Sequence, residues 1–194
     1  GITLPARRGS APVRIRWVGA NPGVRLAGKG LLPGVSNYYG RQTPSQWRTA
    51  IPHYRAVQAH GLYRGIDLVV YPAHAAADRL LEYDLVIAPG ADLRQVQLAI
   101  EGAVDLKLTG GGDLAITSGG KTLLHRKPVT YQVVNGARRE ISSRLRIAGG
   151  NRIQFEVADW NPGLPLTIDP VIDFSTYLGG SVTDFTRSMA VGPA

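Results

Sequence analysis

Cysteine is absent from all 194 residues. That excludes disulfides, zinc–thiolate sites and cysteine nucleophiles, and it is compatible with export. No uninterrupted apolar run approaches the ~20 residues that a membrane-spanning helix needs, so no such span is expected. The opening GITLPARRGS has neither a Met start nor a signal-peptide hydrophobic region, so the expectation is a processed chain or a fragment. Acidic residues are missing from the whole first third. Asp67 is the first, and ten cations precede it: Arg7, Arg8, Arg14, Arg16, Arg25, Lys29, Arg41, Arg48, Arg55 and Arg64. The remainder carries 12 cations against 14 anions. The net charge of +8 therefore belongs to the first third. Two readings fit it: an anionic partner, or a solvated surface in a chain that prefers Arg to Lys.

What is present is turn-rich: 24 glycines and 13 prolines. Apolar residues recur with period 2, the signature of half-buried strands. Val13-Arg14-Ile15-Arg16-Trp17 alternates cleanly. His53 to Ala59 is a further candidate strand. Ile66 to Tyr71 and Leu80 to Ile87 are richer in apolar residues and read as central strands. Pro72 to Arg79 reads as the loop between them, and Gly34 to Arg48 as a Gly/Pro/Ser-bearing connection. Asp92 is placed to cap a single turn. The second half reads as hairpins. Leu106 and Leu108 face Leu114 and Ile116, which turns through Ser118-Gly119-Gly120 into Leu123 and Leu124. Val133 meets Arg138 across Asn135-Gly136, a dipeptide suited to a type I′ turn. Leu145 and Ile147 pair with Ile153, Phe155 and Val157. The expected fold is all-β and antiparallel, a two-sheet sandwich or coiled meander.

Catalytic motifs are missing: no G-x-S-x-G, no H-E-x-x-H, no Walker loop and no G-x-G-x-x-G. The glycine clusters at residues 110–112 and 119–120 sit between short strands and read as hairpin turns. His53, His60, His74 and His125 share no i, i+2 or i, i+4 spacing, so they read as solvated or singly hydrogen-bonded, and no metal site is expected. Asp173, Asp184 and Gly179-Gly180 match no calcium loop. Glu82 and Asp84 share one face of a strand. They admit two readings, a glycosidase-like carboxylate pair or a polar face turned to water, with Leu81, Tyr83 and Leu85 filling the other face. Tyr38, Tyr39 and Trp47, with Arg41 and Arg48 nearby, also admit two. Rings beside turns read first as core plugs; exposed, they would stack on sugars or bases.

Several ordered segments point further: Ser36-Asn37-Tyr38-Tyr39, Trp47-Arg48-Thr49, Ile51-Pro52-His53-Tyr54, Leu62 to Tyr71, Leu81-Glu82-Tyr83-Asp84, Ala88-Pro89-Gly90-Ala91-Asp92, Arg126 to Gln132 and Leu166 to Val171, then Ser175-Thr176-Tyr177-Leu178-Gly179-Gly180-Ser181. Together they resemble the N-terminal domain of unknown function that precedes SBBP-type bacterial β-propeller repeats in secreted or cell-surface proteins. The resemblance implies an extension over residues 1–12, an all-β domain over 13–172 and the truncated start of a propeller blade over 173–194. It also implies an exported protein whose partner is its own downstream β-propeller. It supplies no catalytic residues and no cofactor. The expected role is a non-enzymatic scaffold or adhesion module. The alternatives are a module binding cell-surface polysaccharide or another polyanion through Tyr38, Tyr39, Trp47, Arg41 and Arg48, and a glycan hydrolase using Glu82 and Asp84.

Overall fold

The computed structural model describes residues 1–4, 12–39, 43–72 and 79–174. Among these residues there is no α-helix, and every strand pair is antiparallel. Two sheets face each other and neither closes into a barrel, so the fold is an all-β sandwich.

The smaller sheet has five strands. β1 (Ile2–Leu4) pairs with β2 (Val13–Trp17), which pairs with β7 (Gln97–Glu101). Next come β14 (Arg152–Val157) and β13 (Ser143–Ile147). The VRIRW alternation of β2 buries Val13, Ile15 and Trp17 and turns Arg14 and Arg16 outward, as period 2 requires.

The larger sheet is organised on β6 (Arg79–Ile87). On one side β6 pairs with β5 (Ile66–Tyr71), then β4 (Arg48–Tyr63), then β3 (Arg25–Tyr38). On the other side it meets β15 (Leu166–Asp169) and β16 (Val171–Phe174), two short strands broken at Pro170. There the sheet forks. β15 leads to β11 (Val129–Val134) and β12 (Ala137–Ile141); β16 leads to β10 (Lys121–His125), β9 (Leu114–Ser118) and β8 (Asp105–Leu108). Proline fits this fork because it cannot donate to a continuous ladder. β16 runs across the boundary expected at residue 172, and Asp173 and Phe174 pair with Leu124 and Leu123. The rest of the expected propeller start, residues 175–194, and the loop at 73–78 lie outside the described residues.

The hairpins form in the expected registers: Leu106↔Ile116, Leu123↔Ile116, Val133↔Arg138 and Leu145↔Phe155. Asn135 and Gly136 have φ of 51° and 79°, the positive values a type I′ turn demands. Asp92 caps the one-turn 3-10 helix Leu93–Gln95, one of two such turns among the described residues, by accepting from the Arg94 N–H.

The core lies between the sheets. Tyr83 is fully buried at its centre. Its ring meets Trp17 edge-on at 5.9 Å, and its hydroxyl is 2.8 Å from Nε2 of His125. His125 is itself fully buried and also bonds the Arg126 carbonyl at 3.2 Å. The expectation of solvated or singly bonded histidines fails here, because a partner 42 residues away supplies a hydroxyl inside the core. Burial lowers the His125 pKa from 6.5 to about 4, so the imidazole is neutral.

One departure from expectation is large. Residues 34–38 do not belong to a loop. They continue β3, whose 14 residues pair with the 16 of β4 to make a single long ribbon. Its irregularities at Leu32/Val35 and Ser36/Tyr38 absorb Pro33 and Gly34 without ending the pairing. A two-stranded edge tolerates proline where a central strand would not.

Candidate functional site

The ribbon overhangs the body. β5 pairs with β4 only from Val57 to Tyr63, so Arg48–Ala56 of β4 has β3 as its only strand partner among the described residues. At the far end the sequence-selected aromatics gather. Tyr38 pairs with Arg48, and the rings of Tyr39 and Trp47 meet edge-to-face at 5.1 Å. Tyr38 is 62% exposed, Tyr39 63% and Trp47 41%. They are therefore not core plugs: the overhang holds them beyond the reach of the smaller sheet. Arg48 is exposed beside them, while Arg41 lies outside the described residues.

Local bonds shape this end. The Asn37 side-chain oxygen accepts from the Ala50 N–H at 2.8 Å. That bond holds Ala50 at φ 56°, a left-handed conformation an alanine rarely adopts. Ser36 Oγ lies 2.6 Å from His53 Nε2. Closer to the body the Tyr54 ring covers Gly28. A Cβ at residue 28 would stand 2.4 Å from the ring, so only glycine admits it.

Charge on the ribbon is of one sign. Among the described residues Arg25, Lys29, Arg48 and Arg55 form no ion pair. Arg16 of β2 is different; it bonds Glu101 at 2.8 Å and that bond holds the Glu101 carboxyl below its ordinary value. Glu156 pairs with Arg144 and Arg146.

The second sequence candidate lies on the outer face of β6. Glu82 and Asp84 are partly exposed there, while Leu81, Tyr83 and Leu85 are buried behind them. The nearest partner of Asp84 is one the sequence did not suggest. The Tyr71 hydroxyl donates to Asp84 at 2.9 Å and reaches Asp169 at 3.5 Å. Burial raises the pKa of both carboxyls; the Tyr71 bond opposes the rise, and the charge of Asp169 adds to it at Asp84. Tyr71 in turn is pushed up by burial and by the adjacent carboxylates. Such a cluster can share a proton. Asp169, which the sequence did not single out, belongs to it.

Residues 5–171 match the family model described as Domain of unknown function (DUF7948). The chain belongs to that family. No curated protein and no solved structure matches it.

In this DUF7948 domain two clefts, of about 330 Å³ and 420 Å³, lie away from these carboxyls, around Thr130, Glu140, Ser143 and Glu156, where β12 crosses into β13. Neither is lined by Glu82, Asp84 or Asp169. Among the described residues no group of three His, Asp or Glu side chains is placed to hold a metal ion. Asp173 bonds Arg126 at 2.6 Å. His60 lies 3.1 Å from Asp67. Burial opposes ionisation of Asp67, but bonds from the Gly61 N–H, Gln58 and His60 prevail and lower its pKa. No helix among the described residues is long and apolar enough to cross a membrane.

Proposed function

We propose that this domain is a non-enzymatic adhesion and scaffold module of an exported bacterial β-propeller protein, and that the β3–β4 ribbon is its adhesive surface. One observation carries the reading. Of the twelve large apolar or aromatic side chains exposed among the described residues, eight fall between Leu26 and Val57. Exposed apolar side chains concentrated in one element mark an interaction surface. The SBBP-like segment Ser175 to Ser181 supports a downstream propeller as the body that the module serves.

The polyanion reading draws on a separate observation, the ribbon cations Arg25, Arg48 and Arg55, which form no ion pair among the described residues. Steep weakening of binding by salt is its signature.

The test is to replace residues 30–55 by Asn-Gly, which closes Lys29 and Ala56, cross-strand partners, over a type I′ turn. The expected variant unfolds cooperatively like the parent and no longer adheres to isolated bacterial envelopes. Undiminished adhesion would reject the ribbon as the adhesive surface.

A further inference from the structure

The ribbon's two faces differ. The cross-strand row Leu26↔Ala59 continues through Leu68 to Leu85, and Gly28↔Val57 continues through Val70 to Tyr83. Partners in a row share a face. Leu26 and Val57 therefore stand on the same face as Leu68, Tyr83 and Leu85, the core face. In the body the smaller sheet covers that face. In the ribbon Leu26 and Val57 are exposed. Further out, past Gly30 at φ 69°, Tyr54, Leu31 and Val35 are exposed as well, Tyr54 with its ring over Gly28.

We infer that this ribbon docks on an anionic lipid bilayer, lying in the headgroup region with its aliphatic side chains directed into the apolar boundary. The inference rests on the adhesive reading above and names what the ribbon adheres to. Three observations select lipid. The first is charge complementarity: no acidic residue lies between Arg25 and Tyr63, and while the charge of Lys29 acts on Asp84, Arg25, Arg48 and Arg55 form no ion pair among the described residues; anionic headgroups attract such a segment. The second is the mixture of side chains. Sugar rings and bases use aromatic platforms and charge; they leave exposed Leu31, Val35 and Leu26 with nothing to gain. A bilayer takes all three classes: aliphatics below, Tyr38, Tyr39 and Trp47 at the interface, and cations at the phosphates. The third is the state of the strand edges. Pro33 in β3 and Pro52 in β4 interrupt the donor rows that an added polypeptide strand would need, which disfavours a peptide occupant.

The experiment is vesicle co-sedimentation of the full 194-residue chain, with tryptophan emission read in parallel. One set of vesicles is phosphatidylcholine alone; the other contains about 30 mol % phosphatidylglycerol, enough for a strongly negative surface. The expected result is binding to the anionic vesicles only, with a blue shift that Trp47→Phe removes. Leu31→Ser with Val35→Ser, both at exposed positions, is expected to weaken binding at least about tenfold, since interfacial affinity scales with buried apolar area. Arg48→Gln with Arg55→Gln is expected to weaken it as well. No binding to either vesicle overturns the inference. So does binding that ignores the serine pair and follows charge alone, which would indicate an acidic glycan or nucleic acid. If envelope adhesion still requires residues 30–55 while vesicles are ignored, the lipid assignment fails and the adhesive reading stands.

Discussion

The sandwich body and the β3–β4 ribbon are built from the same rows of side chains. Within the body, Leu68, Tyr83 and Leu85 pack against Trp17 and the rest of the smaller sheet and are almost wholly buried. One strand further out, Val57 and Leu26 extend those rows and are exposed, with no second layer over them among the described residues. Alternation thus determines that a segment is a strand and which side is apolar. Coverage is decided by how far the opposing sheet reaches, and here the five strands of the smaller sheet stop short of the ribbon.

The sharpest way to break this comparison is to remove matching aromatics from each region. Tyr83→Ala is expected to cost about 3–5 kcal/mol of stability, the range for deleting a buried large ring, read from the denaturant midpoint. Tyr54→Ala, on the half-exposed ring over Gly28, should cost less than half of that. Equal losses would mean that the ribbon is packed as tightly as the body.

Acid should separate the regions next. The folded-state pKa of His125 is depressed to about 4 from 6.5, so the unfolded chain takes up the proton first. Its contribution is fully present above pH 6.5 and is lost as pH falls to about 4. At roughly 1.4 kcal/mol per unit, the loss reaches about 3 kcal/mol. Asp84 and Asp169, whose folded pKa values are raised, act oppositely: they favour the folded state as pH falls. Thermal melts of the parent and of His125→Leu isolate the histidine effect, and the variant should have lost the drop between pH 6.5 and 4. An identical drop in both would assign it to other groups.

A smaller effect is expected at the hairpin tip. Gly136 sits at φ 79°, and Gly136→Val should destabilise by about 1–2 kcal/mol, the cost of a left-handed conformation for a side chain with a Cβ. An unchanged melting curve would refute the turn. Smallest of all is Leu31→Ala on the ribbon, expected to change stability by less than about 0.5 kcal/mol, as at an exposed site. A loss above 1 kcal/mol would show that something covers Leu31.

These contrasts follow what was legible in the sequence. The hairpins from Leu106 to Val157 were readable because each joins neighbouring segments through a turn with its own chemistry, such as Asn135-Gly136. Placement of Glu82 and Asp84 on one face, opposite Leu81, Tyr83 and Leu85, followed from period 2 alone. The ribbon was not readable. Pro33, Gly34 and Pro52 look like strand ends, yet a two-stranded overhang accommodates them as bulges and gaps in its ladder. Nor was the burial of His125, which depends on a Tyr83 hydroxyl 42 positions away. Asp169 joins Asp84 only because β15 and β6 lie side by side, a pairing no local pattern announces. The aromatics at Tyr38, Tyr39 and Trp47 were found by type and cluster, but their exposure is a consequence of the ribbon's length.

The claim that a core-type face is left bare and becomes covered on binding is tested most directly by amide hydrogen exchange, run with and without phosphatidylglycerol vesicles. The free chain should show fast exchange across residues 30–55 and slow exchange at Tyr83 to Ile87 and Leu98 to Ile100. Vesicles should slow exchange in residues 30–55 and leave the body unchanged. Strong protection of residues 30–55 in the free chain, or vesicle protection confined to the body, would contradict the account.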